Sequence, residues 1–233
     1  MLLKTVYYVT ASIRGTTVAR AAAGKPSQRE GTVEKILAAA LDLFVTRGYD
    51  GTTVDQIAEA SGLTKGAIYF HFTNKADVLD ALLDQVERHF VDPMDQRVRQ
   101  AGPSARDKMV AFAHQQSELG LGRTKLAILA IRTSSDFSQQ DSPFREKIRH
   151  IYRRLYAILE DIIELGRAQG DFRTDVSTRQ LASYVIAAHD GTFLEWQRRG
   201  LELKPPEIVY TFRTLSIDAL LADRASLSKD ARS

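Results

Sequence analysis

Apolar residues recur along this chain at steps of three and four, and almost nowhere at steps of two. Val33, Ile36, Leu37, Ala40, Leu41 and Phe44 form one such series, and Val78, Leu79, Leu82, Leu83, Val86 and Phe90 a second. A longer series takes in Ile148, Ile151, Tyr152, Leu155, Ile158, Leu159, Ile162 and Ile163. Two more carry Leu181, Tyr184, Val185, Ala188, Phe193 and Trp196, and then Val209, Phe212, Leu215 and Leu220. That spacing puts each series on one face of a helix. No useful strand alternation and no internal repeat interrupts it. The expectation is an all-α chain of about nine helices, with a small N-terminal three-helix unit and a larger C-terminal helical domain.

Polar and small residues punctuate the helices. Gly48 stands where a left-handed cap is wanted. Thr53 with Gln56 has capping-box spacing, and so does Ser177 with Gln180. Thr64 and Asn74 are candidate caps for a third and a fourth helix, the fourth running through Phe90. Ser104 opens a further helix after Pro103, "TKLAILAIR" is a short one, Ser142–Pro143 opens a long one, and Pro205–Pro206 introduces the last.

Two short elements meet at Gly62. A helix-turn-helix needs a small residue in its first helix, a glycine where the turn takes a positive φ, and a branched apolar residue in its second. Ala58, Gly62 and Ile68 meet those needs. The stretch from Ala39 to Leu79, "AALDLFVTRGYDGTTVDQIAEASGLTKGAIYFHFTNKADVL", resembles the DNA-binding domain of TetR-family transcriptional regulators. The agreement lies in Phe44 with Gly48-Tyr49, the Thr52-Thr53 cap, Ile57-Ala58, and "KGAIYFHF" followed by Lys75. It spans about Val33 to Leu83. Beyond that only the general all-helical layout agrees.

The resemblance implies that the helix from Thr64 enters a major groove, which is wide enough for one. Gly66 would let the backbone come close, and Lys65 would reach a guanine edge or a phosphate. Tyr69 and His71 would donate to phosphates, although His71 has a structural turn-holding role as its rival. Phe70 would touch a thymine methyl or sugar, or pack under the next helix. Thr53, Thr64 and Lys75 lie at helix N-termini, where amides and dipole favour an anion.

The resemblance also implies a homodimer on a palindromic operator. Tyr184, Ala188, Phe193, Trp196 and Phe212 are its candidate interface members, with each protomer's own core as the competing role. It implies a cavity in the C-terminal domain, with Phe112, Ile128, Ile131, Tyr152, Tyr156 and His189 as candidate lining. Ordinary core explains such apolar positions more often, and His189-Asp190 is the most interesting polar pair among them. The expected function is a ligand-responsive regulator, a repressor released by a small hydrophobic or aromatic effector. The alternative is a regulator or activator controlled by a protein partner. The implied division is 1–27 as a flexible basic arm, 28–75 as the DNA-binding domain, 76–223 as the effector and pairing domain, and 224–233 as a frayed tail.

Composition narrows other classes. The 233 residues include no cysteine, which excludes disulfide scaffolds, thiolate metal sites and cysteine nucleophiles. Five histidines show no metal-binding spacing, and no nucleophile elbow, P-loop or dinucleotide fingerprint is present. An enzyme is therefore not expected, nor a cofactor or metal. No apolar run approaches the ~20 residues of a membrane span, and a cytoplasmic location is expected. Net charge is +3. Its distribution is uneven: residues 1–27 carry four basic residues and no acid, while residues 28–90 hold six Lys/Arg against ten Asp/Glu. The headpiece is thus acidic, an unexpected balance for binding a polyanion unless its acids face away.

Overall fold

The computed structural model describes residues 28–114, 121–139, 141–199 and 204–222. The N-terminal arm and the C-terminal tail lie outside them. Ten α-helices follow one another among the described residues: α1 (Gln28–Arg47), α2 (Val54–Ser61), α3 (Lys65–His71), α4 (Lys75–Val86), α5 (Asp92–Gln100), α6 (Ala105–His114), α7 (Leu121–Asp136), α8 (Pro143–Ala168), α9 (Thr178–Arg198) and α10 (Pro205–Leu220). A π-helical turn, Glu87–Val91, joins α4 to α5 without a break. The all-helical expectation holds. An isolated antiparallel bridge, Phe172 to Leu221, ties the turn after α8 to the end of α10.

The helix starts follow local chemistry. The Thr53 hydroxyl accepts from the Gln56 amide while the Gln56 side chain accepts from the Thr53 amide, the reciprocal pair of a capping box. Ser177 and Gln180 repeat it at α9. Thr64, Asn74 and Ser142 cap α3, α4 and α8 through their side-chain oxygens. Gly62 ends α2 at φ 68°, a left-handed conformation that disfavours any side chain with a Cβ.

Two segments depart from the sequence pattern. The fourth helix, expected to run through Phe90 as one α-helix, widens into the π turn, and α5 then adds a further segment. Pro93 sits in the first turn of α5. Its ring would crowd the carbonyl four residues back, and it donates no amide of its own. The Asp92 amide reaches back five residues to the Glu87 carbonyl instead. Helix α7 outlasts its apolar pattern to reach Asp136. There Ser134 donates its hydroxyl proton to the Ile131 carbonyl at 2.7 Å, and a polar stretch that reads as a helix end is helical.

Ile57 and Ala58 of α2 and Ile68 of α3 share one core with Ile36, Ala40 and Phe44 of α1 and Val78, Leu79 and Leu82 of α4. That core is continuous with the interior of α5–α10. Helix α7 reaches back to α1, where Arg132 donates to the Val45 carbonyl and Lys125 pairs with Asp42 at 2.6 Å. From α8, Lys147 pairs with Asp80 and Asp84 of α4 at 2.7 and 2.6 Å, and Arg154 with Glu87 and Asp92 at 3.3 and 2.8 Å. This answers the charge imbalance. Four of the headpiece's ten acids are held by cations of the C-terminal helices, and so face them rather than the α2–α3 surface.

Candidate functional site

Helix α3 has a core side and an outer side. Ile68 is 1% exposed, whereas Tyr69 is 48% and Phe70 72% exposed. Gly66 faces open space: a Cβ there would meet only the Thr64 hydroxyl oxygen, at 3.9 Å. Nothing among the described residues therefore requires glycine at this point, although it costs about 1 kcal/mol against alanine within a helix. Close approach of an external surface is the remaining physical use for it.

Lys65, beside Gly66, bonds Asp55 of α2 at 2.8 Å, with both side chains at least half exposed. The hydrogen bond to Asp55, with its charge, raises the lysine's pKa further above its ordinary value. The pair is a surface one, readily exchanged for another anion. The edge of His71 meets Phe70 at 5.0 Å between ring centroids, and the guanidinium of Arg29 lies 5.7 Å from the Phe70 ring. The sequence pattern does not single out Arg29. It stands in the first turn of α1, far from α3 along the chain, and only folding brings it to this face. Thr53 and Thr64 both use a hydroxyl lone pair for capping, but both remain exposed beside the outer face.

Lys75 behaves differently. Its ammonium donates to the carbonyls of Tyr49 and Thr52 at 2.7 and 2.9 Å and lies 4.0 Å from the centre of the Tyr49 ring. Burial lowers its pKa, despite the opposing charge of Asp50. Two of its three protons are thus engaged within the chain, and the lysine clamps the α1–α2 loop to the start of α4. Tyr49 also packs edge-on against Phe137 and Phe144, at 5.5 and 5.7 Å. That aromatic cluster joins the helix-turn-helix to the α7–α8 turn.

The candidate cavity residues separate into two groups. Phe112, Ile128 and Ile131 are buried in packed core. Tyr152 and Tyr156 line a crevice of about 460 Å³ between α7, α8 and α9, together with Phe137, Ile148, Ile186, Arg145 and Asp190. Tyr152 donates to one carboxylate oxygen of Asp190 at 2.7 Å, and His189 Nδ1 lies 2.8 Å from the other. A carboxylate only accepts, so Nδ1 carries the proton that His189 gives it. Burial, then the charge and hydrogen bond of Asp190, push the Tyr152 hydroxyl far above its usual pKa, keeping it a donor. His189 is 3% exposed and is ringed by Phe90, Phe112, Phe193 and Phe212 at 5.0–6.4 Å.

A second groove, of about 390 Å³, lies between α9 and α10. Tyr184, Ala188 and Phe212 line it, beside Leu215, which is 59% exposed. Phe193 and Trp196, from the same candidate interface set, are buried in the protomer's own interior. Among the described residues no group of three or more His, Cys, Asp or Glu is placed to hold a metal ion, and no helix is long and apolar enough to cross a membrane.

Comparison with known proteins agrees with the fold. The family model "Bacterial regulatory proteins, tetR family" matches residues 36–82, and "Tetracyclin repressor-like, C-terminal domain" matches residues 129–199. The chain is 40% identical to the MbdR regulator from Azoarcus sp. CIB. That likeness covers 82% of this chain and 100% of MbdR, with a TM-score of 0.75. FadR from Bacillus subtilis, solved in complex with stearoyl-CoA, is 22% identical over 80% of this chain and 98% of its own, with a TM-score of 0.65. TtgR from Pseudomonas putida is 49% identical over 55 residues, 24% of this chain and 26% of TtgR.

Proposed function

The chain belongs to the TetR family of bacterial transcriptional regulators, and from that premise we propose that it is a repressor that binds a palindromic operator as a homodimer and leaves it when a small hydrophobic or aromatic effector binds. Residues 28–75 bind the DNA and residues 76–223 sense and pair. The observation that carries the DNA role is the outer face of α3, with Gly66 unneeded by internal packing beside exposed Tyr69 and Phe70. Lys65 exchanges Asp55 for a base edge or a phosphate. Tyr69, His71, Thr53 and Thr64 position the backbone, and Phe70 lies against sugar or methyl groups. Lys75 offers its remaining proton to a phosphate while clamping the α1–α2 loop.

Pairing uses the α9–α10 face, where Tyr184, Tyr210 and Leu215 are 51%, 60% and 59% exposed. A two-fold axis through that face doubles the DNA contacts and calls for a palindrome. The effector occupies the α7–α8–α9 crevice. A relative solved with stearoyl-CoA supports an effector with a large apolar part. Phe137 lines the crevice and also packs on Tyr49, which holds Lys75. A ligand that displaces Phe137 in one arrangement of α7 and not in another therefore biases the headpiece.

The test is a titration of the full chain into the duplex upstream of its own reading frame, at two salt concentrations, with random duplex as control. Tight binding to that duplex alone, steeper in salt than a single headpiece gives, supports a dimeric operator-binding protein. Indiscriminate binding to both duplexes at every salt concentration argues against this operator.

A further inference from the structure

Two buried side-chain nitrogens lack a hydrogen-bond partner among the described residues, Arg145 Nε and His189 Nε2. Both lie close to the α7–α8–α9 crevice. Arg145 lines it, and His189 stands behind Asp190, which lines it too. A guanidinium is always charged and carries five N–H donors in a planar fork. Leaving one donor buried and unmatched is costly unless something else supplies an acceptor.

The other polar groups of the crevice do not supply it. Asp190, its carboxylate, is already engaged at both oxygens by Tyr152 and His189. Arg149, the second guanidinium, is paired with Glu146 on its own helix at 3.1 Å. Ser134, Ser138 and Ser183 donate their hydroxyl protons to helix carbonyls, and none of their oxygens lies within hydrogen-bond reach of Arg145 Nε. From Arg145, the residues Ile148, Arg149, Tyr152 and Tyr156 lie three, four, seven and eleven residues along one face of α8, so Arg145 heads a wall made of Ile148, Tyr152, Tyr156 and the Glu146-paired Arg149.

We propose that this crevice takes an amphiphile with a single anionic group, which Arg145 grips with its guanidinium, the side chain turning its now buried and unmatched Nε–H toward the ligand, while the apolar body lies against Phe137, Ile148 and Ile186. The proposal rests on the effector reading above and names the ligand's chemistry. A carboxylate or a sulfonate satisfies the fork through two parallel hydrogen bonds. A neutral hydrocarbon fills the same volume and leaves the Nε–H unmatched, so the crevice discriminates by charge as well as by shape.

The experiment uses two fluorescent probes with the same ring system, 1-anilinonaphthalene-8-sulfonate and its neutral parent N-phenyl-1-naphthylamine. Each is titrated into the full chain at fixed pH and salt. The sulfonate is expected to bind the wild type about tenfold more tightly than the parent. Arg145→Gln is expected to weaken the sulfonate about tenfold and leave the parent within about twofold. Arg145→Lys, which keeps the charge but loses the fork, should fall between. Equal affinity of both probes for the wild type overturns the proposal. So does an Arg145→Gln variant that weakens both alike, or an Arg149→Gln variant that alone removes the preference. If Arg145→Gln does not fold, judged by its helical circular dichroism, Arg145→Lys takes its place. Competition by octyl sulfate against octanol on the wild type then tests the same preference, and equal competition by the two overturns the proposal.

Release of bound DNA separates the two levels. Arg145-dependent binding of the sulfonate without DNA release keeps the anion site and removes the effector reading. DNA release by the neutral parent, with no preference for the sulfonate, does the reverse.

Discussion

Helices α3 and α9 both break the usual sorting of side chains, in opposite directions. Helix α3 turns Phe70, 72% exposed, out to water, and α9 turns His189, 3% exposed, into a ring of phenylalanines. Each arrangement carries a cost. An exposed phenylalanine forgoes the roughly 1.5–3 kcal/mol that burial would provide. A buried imidazole loses its water, a loss offset here by the hydrogen bond to Asp190 and through it to Tyr152. The difference teaches where to look for each partner. The misplaced groups of α3 are complete only against a surface outside the chain. Those of α9 are held by a polar chain inside it, and removing a link of that chain should be felt in folding.

The largest expected effect follows from that contrast. Asp190→Ala leaves His189 Nδ1–H and the Tyr152 hydroxyl without their acceptor in the interior, and should cost about 3 kcal/mol of stability. The urea midpoint of the full chain measures it. Phe70→Ala, on the other helix, should stay within about 0.5 kcal/mol of wild type in the same titration and weaken DNA binding. If the two variants unfold at the same urea concentration, the contrast between inward and outward helices is lost.

Lys65→Ala sharpens the outward half. If Lys65 reads a base, the loss on the cognate duplex should be about 1–3 kcal/mol and larger than on random duplex. Competition binding at one salt concentration reads the difference. Asp55→Asn should act oppositely, because it frees Lys65 from its surface partner. Equal losses on both duplexes make Lys65 a phosphate contact only.

The α2–α3 unit was legible because its signals are local. Thr53 with Gln56, Thr64, Gly62 and Ile68 all act within a few residues of one another, so the sequence carries their spacing directly. The crevice was only partly legible. Tyr152 and Tyr156 reveal themselves by helical spacing on α8, but so do Phe112, Ile128 and Ile131, which pack the core instead. Periodicity marks a buried face without saying whether that face meets side chains or a void. Arg145 left no trace at all. A basic residue in the first turn of α8 reads as solvated surface, and only the folded chain buries its Nε. The π turn escaped for a related reason, since its cause, Pro93, lies beyond the turn it distorts.

Tyr152 gives a smaller effect, with a pH signature. Its folded pKa is raised above the ordinary 10.0 by burial first, then by the charge and hydrogen bond of Asp190. The folded chain therefore holds this proton more firmly than the unfolded chain does. The resulting stability is fully present below about pH 10 and is lost as pH rises above it. Tyr152→Phe should cost about 1 kcal/mol near neutrality and should lose less further stability than wild type between about pH 8 and about pH 10.5. Urea midpoints at the two pH values provide the comparison. Parallel losses in the two proteins assign the alkaline sensitivity to other groups.

The smallest expected effect separates two neighbours on α3. Tyr69 is 48% exposed and follows Ile68, the residue that anchors the helix to its core. It is thus half exposed at the outer face, beside an anchored neighbour. Tyr69→Phe removes one oxygen and almost no packing, so the urea midpoint should not move. If that hydroxyl donates to a phosphate, affinity should fall by about 0.5–1.5 kcal/mol, and equally on cognate and random duplex, because a phosphate carries no sequence. The slope of affinity against salt should scarcely change, since a neutral donor releases no counterion. A loss confined to the cognate duplex would instead place the hydroxyl on a base edge, and would move Tyr69 from positioning the helix to reading the site.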